Sequence, residues 1–243
     1  MWGFLHGPQR AESRFRLRFD LPARCADALA TGEARIGLVP CAEIERLGLD
    51  FLPETGIACD GAVRSILLFS KVPFREVRTL AVDAGSRTSV ALCRILLRER
   101  YGVSPILTAQ EPELERMLEA NDAALVIGDP ALRLDPGSLP WHWMDLGAEW
   151  RAWTGLPMVF AAWAGRGAAL SEPGVREAFV ESWRWGSAHL EEIVARAGAE
   201  RGFGADVTRR YLTEAIRFEL DAACLEGLSE FRKMVRKLDA DGL

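Results

Sequence analysis

An α/β fold of two lobes with a ligand cleft between them is predicted by three features of the 243-residue chain. Strand-like and helix-like segments alternate, above all between residues 79 and 127; prolines and glycines punctuate the helical segments; and no flexible linker divides the chain. The stretch from Thr79 to Tyr101 sets the pattern. Its apolar start reads as a buried strand, Ala84–Ser89 as a turn rich in small hydroxyl residues, and the remainder as an amphipathic helix. Thr88 or Ser89 caps that helix, Arg94, Arg98 and Arg100 sit toward its negative end, and Gly102 closes it in a left-handed conformation. Such a helix start offers unpaired N–H groups and the positive end of a dipole, which together seat an anion. The loop lacks the lysine and glycine spacing of a nucleotide loop, so a small carboxylate or phosphate is the anion it suits. Plain helix capping is the competing role for the same hydroxyls.

The other elements follow from the same rules. In residues 14–20, Arg14, Arg16 and Arg18 alternate with Phe15, Leu17 and Phe19, the period of a half-buried strand. Pro22 opens a helix over 24–31 that ends at Gly32; 35–39 is a short strand ending at Pro40; 42–47 is a brief helix closed by Gly48. The apolar run 63–71 is long enough to pass from one lobe into the next. After the helix of 88–101 come strand 104–108, helix 112–120 and strand 123–127, an alternation that implies a parallel sheet covered on both faces. Residues 134–147 form a loop leading to a short strand at 143–146, then a short helix over 148–153 and a return strand over 158–164. Helices are expected over 173–197, 206–220 and 222–238, with Phe179, Trp183 and Leu190 as core rather than ligand platform. The first lobe then comprises residues 1–71 and 158–243, and the second is the continuous insert 72–157. Ligands of open α/β sheets collect beyond the carboxyl ends of strands, so the Ser86 loop and the turn at Asp129 can face one ligand.

Composition narrows the function. With 49% hydrophobic residues and a net charge of −5, the chain has enough apolar content for a large core and no basic footprint for nucleic acid. The longest apolar runs fall far short of the ~20 residues a membrane helix needs. Nor does the amino terminus carry the pattern of a signal peptide, which places the protein in the cytoplasm. The five cysteines have no Cys-x-x-Cys spacing and fit reduced thiols; the three histidines are too scattered for a metal site.

Several motifs carry a family resemblance. Leu67-Leu68-Phe69-Ser70-Lys71, Ser86-x-Thr88-Ser89 and Ile127-Gly128-Asp129-x-Ala131-Leu132 contribute to it. The most specific stretch is Asp145-Leu146-Gly147-x-Glu149-Trp150 with Thr154-Gly155-Leu156-Pro157-x-Val159-Phe160-Ala161-x-Trp163. With these the chain resembles the chorismate dehydratases of the futalosine route to menaquinone. The resemblance implies a two-lobed fold like that of type II periplasmic binding proteins, with chorismate as substrate, 3-[(1-carboxyvinyl)oxy]benzoate as product and no cofactor. A homodimer is allowed and not required. The implied substrate-binding groups are Ser86, Thr88, Ser89, Ser65 and Cys41, with Asp129 a candidate general base. Capping of the turn Pro130–Leu132 is the competing role for Asp129, and a substrate carboxylate is a competing base. The sister enzyme that releases dihydroxynaphthoate is a weaker match, since Asp-Leu-Gly-x-Glu-Trp favours the dehydratase. A non-catalytic binding protein for a small aromatic carboxylate is a further alternative, because this chain departs from the family pattern at Pro22-Ala23, Arg35-Ile36 and Pro40-Cys41. The resemblance also implies a first strand and an asparagine ahead of Trp2-Gly3, lying between the strands of 14–20 and 35–39; without it an apolar seam is expected there.

Overall fold

The computed structural model describes residues 2–8, 15–83 and 85–240. In chain order the elements are α1 (Trp2–His6), α2 (Pro22–Thr31), β1 (Ile36–Pro40), α3 (Cys41–Arg46), β2 (Asp50–Cys59), β3 (Ile66–Ser70), β4 (Thr79–Val82) and α4 (Arg87–Tyr101). Then follow β5 (Ile106–Ala109), α5 (Leu114–Ala120), β6 (Ala123–Ile127), α6 (Asp129–Leu132), β7 (His142–Asp145), α7 (Leu146–Thr154) and β8 (Met158–Gly165). The carboxyl part is α8 (Gly167–Leu170), α9 (Val175–Ala188), α10 (Leu190–Arg201), α11 (Ala205–Arg210), a π-turn over Tyr211–Ala215, β9 (Arg217–Glu219) and α12 (Ala222–Ala240).

Two sheets organise the chain. The first has the order β1-β8-β2-β9 and the second β5-β4-β6-β3-β7. Parallel pairing joins β5, β4 and β6, the three strands expected to form a parallel sheet; every other pair is antiparallel, so the second sheet is mixed and the first antiparallel. The second sheet is mixed because β3, by which the chain enters it, runs against both of its neighbours, β6 and the last strand β7. All five residues of β3 are buried, and it lies wholly in the second sheet between β6 and β7 rather than running from one sheet into the other. Helix α12 packs along the outside, setting Phe231 edge-on to the fully buried Trp150 at 6.2 Å. Its Arg232 and Arg236 pair with Glu45 of α3, and its Lys237 pairs with Glu99 of α4. One helix thus ties elements beside both sheets.

Four segments differ from the sequence expectation. Strand β2 was hidden by Pro53 and Gly56, residues that weaken a strand; they fall where its pairing with β8 shifts register between Phe51 and Gly56. Residues 15–20 carry no strand, and Arg14 lies outside the described residues. A ladder needs a neighbour at about 4.8 Å. Among the described residues β1 is an edge strand paired with β8 alone, and a cavity of about 890 Å³ is lined by Phe15, Leu17 and Phe19 together with Ile36 and Leu38 of β1. The helix expected over 173–197 breaks at His189, whose ring stacks on Trp185 at 3.7 Å and whose Nδ1 bonds the Trp185 carbonyl. That expected over 206–220 stops after α11, because Arg217 and Glu219 pair with Ala58 and Thr55 of β2 as an added strand.

Candidate functional site

The register of the second sheet brings three predicted residues to one end. Val82 lies beside Leu125 in parallel, so the loop after β4 and the turn after β6 leave the sheet together. Ile66 lies opposite Ile127 in antiparallel, which adds Ser65 to the same end. In the first sheet, Pro40 lies opposite Ala161 and Cys59 opposite Met158, so Cys41, the loop after Cys59 and Pro157 share an end too. The loop 60–65 and the segment α7–Pro157 join these two ends. The candidate residues therefore lie at the ends of the sheets that these segments join.

Ser65 is buried, and its Oγ accepts a hydrogen bond from the Tyr211 hydroxyl at 2.9 Å; its carbonyl accepts from the Gly128 N–H at 2.7 Å. Burial raises the Tyr211 phenol above its ordinary pKa, so it stays protonated and donates, the bond to Ser65 only partly offsetting that rise. Tyr211 opens the π-turn, the local distortion of the helix that carries it to Ser65. Gly128 has φ +67, a conformation open to glycine, and it is the N-cap of α6 without a side-chain cap bond. The Asp129 carboxylate is not the cap of this turn. Its Oδ2 pairs with Arg201 of α10 at 2.8 Å, half-exposed.

At the start of α4 the cap is Ser86, not Thr88 or Ser89, and its side chain makes no capping hydrogen bond to the first N–H groups. Thr88 and Ser89 are buried inside the first turn. The Thr88 Oγ1 accepts from the Ala42 N–H at 3.3 Å, so this helix start touches α3 and the fully buried Cys41 beside it. Burial raises the Cys41 thiol far above its usual range, which makes it an uncharged lining group rather than a nucleophile. Arg87 pairs with Glu43 at 2.6 Å and Asp27 at 2.9 Å, offsetting a cation at the positive end of the dipole. Among the described residues no group of histidines, cysteines and carboxylates is arranged to hold a metal ion, and no helix is long and apolar enough to cross a membrane.

The segments that join the sheets are fastened by one buried carboxylate. Asp145 Oδ1 accepts from the N–H groups of Val63 at 3.0 Å, Gly147 at 2.9 Å and Ala148 at 3.1 Å, while Oδ2 accepts from Arg64 at 2.6 Å. It caps α7 and clamps the 60–65 loop at once. Gly147 is required by the closeness of the two segments: a Cβ there would come within 2.5 Å of the Gly61 carbonyl. Trp150 completes the arrangement by donating from Nε1 to the Pro157 carbonyl at 3.2 Å.

The model of the family described as menaquinone biosynthesis matches residues 1–237. The chain is also 31% identical to the chorismate dehydratase of Thermus thermophilus over 246 residues, covering 93% of this chain and 89% of that one. The chain belongs to the menaquinone biosynthesis family. Its fold is shared with solved proteins of low identity. A protein of Archaeoglobus fulgidus matches with a TM-score of 0.71 at 16% identity, covering 92% of this chain and 86% of that one. The periplasmic aliphatic sulphonate binding protein of Escherichia coli matches with 0.64 at 14% identity, covering 97% and 81%. The fold is thus the periplasmic-binding-protein-like one.

For this member of the family, the structure gathers Ser65 with the Asp129 turn and Cys41 with Thr88. The Asp145–Trp163 motif turns out to be the fastening between the sheets. Sequence reasoning did not find Tyr211, Arg201 or the clamp formed by Asp145. Tyr211 gave no periodic signal, since it sits in a segment that reads as ordinary helix.

Proposed function

We propose that the chain removes water from chorismate to give 3-[(1-carboxyvinyl)oxy]benzoate, in the cytoplasm. The observation that carries this reading is the likeness to a chorismate dehydratase along 93% of the chain; the placement of five unpaired cysteines agrees with a reducing compartment. The ring C3 proton passes to a base, its electron pair becomes the C3–C4 double bond, and hydroxide leaves C4 and takes the proton back as water. Aromatisation drives the step, and the ring carboxylate spreads the developing charge, so the protein's task is to hold two carboxylates and one base in place. The uncapped start of α4, with Ser86, Thr88 and Ser89, seats one carboxylate. Asp129 is the base, set beside the Ser65–Tyr211 pair. Chromatography after incubation with chorismate tests the reading: the enolpyruvyl benzoate is the expected product, and unchanged chorismate with tight binding would support a binding protein instead.

Thr88 accepts from Ala42 and so has its own proton free to donate to a carboxylate. Thr88→Val should weaken product binding by roughly 1–3 kcal/mol while the chain still folds; calorimetry with a melting curve checks both. Unchanged affinity in a folded variant would remove Thr88 from the seat. We further propose that the two sheets belong to two lobes, the second being the continuous insert expected over 72–157 with β3 added ahead of it because β3 pairs with β6 and β7, and that ligand draws them together. Small-angle scattering should show a smaller radius of gyration under saturating product, and an unchanged radius would count against closure.

A further inference from the structure

Arg64 is the one non-glycine residue with positive φ among the described residues, at +65°. That conformation is costly for a residue with a Cβ, and such strain persists only where the surroundings impose it. They do so here. Asp145 holds the N–H groups of Arg64 and its neighbour Val63, so the backbone is pinned from a buried carboxylate. The side chain, by contrast, is exposed and makes no hydrogen bond or ion pair with any described residue. Arg64 directly precedes Ser65, in the loop where the two sheets meet.

Most of the neighbouring arginines face a carboxylate, and Arg133 is instead turned onto the Arg201 carbonyl and the Phe203 ring. Arg201 faces Asp129, Arg87 faces Asp27 and Glu43, Arg151 faces Asp60, and Arg217 faces Asp60 and Asp221. A dianionic substrate entering this region needs a cation that is not already matched, and a guanidinium suits a carboxylate because it can bind both oxygens at once. We propose that Arg64 binds one carboxylate of the substrate and that its strained backbone is maintained to present that side chain. The assignment rests on the reading of chorismate as substrate. It makes Arg64 a substrate-binding residue on the loop, complementary to the neutral seat at the start of α4.

The experiment compares the unmodified chain with Arg64→Gly, Arg64→Lys and Arg210→Gln, Arg210 being exposed and likewise without a partner among the described residues. Each is measured for melting temperature, for product affinity by calorimetry at two salt concentrations, and for kcat and KM with chorismate. Glycine relieves the positive φ, so Arg64→Gly should melt at or above the unmodified chain yet bind product roughly 10- to 100-fold more weakly, with a flatter salt dependence and the loss mainly in KM. Arg64→Lys should recover part of the affinity, and Arg210→Gln should change none of these. Product affinity within about twofold in Arg64→Gly, while the unmodified chain converts chorismate, would overturn the assignment. So would an equal loss in Arg210→Gln, which would show that net charge rather than this side chain acts. An unmodified chain that neither binds nor converts chorismate would overturn the reading of the reaction itself and this assignment with it.

Discussion

Asp129→Asn lowers kcat for chorismate by about 100-fold or more, the usual weight of a general base, and leaves KM within a few-fold. The substitution keeps the shape of the side chain and an oxygen facing Arg201, so the 2.8 Å contact loses charge while the turn of α6 keeps its backbone bonds. Steady-state kinetics with a melting curve measures this. A kcat within threefold of the unmodified chain would move the proton to a carboxylate of the substrate and leave Asp129 as the partner of Arg201 alone. A loss shared by Arg201→Gln would show that the pair acts as a unit.

Asp145→Ala is expected to cost about 3–5 kcal/mol of stability, because the lost carboxylate leaves four N–H groups short of an acceptor, those of Val63 and Gly147 in buried bonds and those of Arg64 and Ala148 in part-buried ones. For a chain of this size that corresponds to a fall in melting temperature of roughly 10 °C. Activity should fall as well, since both connections between the sheets are held by this side chain. Asp145→Asn keeps one acceptor oxygen and should lose about half as much. Thermal unfolding of the two variants measures the difference; a melting point within about 2 °C of the original in Asp145→Ala would show that the clamp adds little.

The second sheet was the more legible part of the chain, and the reason lies in its residues. β4 and β6 are clean apolar runs followed by Asp83 and Gly128, and α4 is an amphipathic helix closed by Gly102, so period and punctuation agree. In the first sheet the signals conflict. Pro53 and Gly56 sit inside β2, and β9 is three residues taken from a helical pattern because an edge of β2 needed a partner. Residues 15–20 have the opposite fault: the alternation is right, but among the described residues no strand pairs with them. The same contrast holds at the site. Ser86 and Asp129 were visible because each follows a strand, whereas Tyr211 and Arg201 arrive from helices distant in sequence and only the fold brings them near. Asp145 was visible as a motif, yet its role as a clamp depends on Val63 and Arg64, more than eighty residues away.

The central claim is that this site takes the C3 proton and the C4 hydroxyl from chorismate and leaves the enolpyruvyl ether intact. Chorismate carrying deuterium at C3 tests it most directly, with mass spectrometry of the product and an assay for free pyruvate. The account predicts an enolpyruvyl benzoate that has lost the deuterium, formed with no release of pyruvate. Deuterium retained in the product, pyruvate set free, or chorismate recovered unchanged would contradict it.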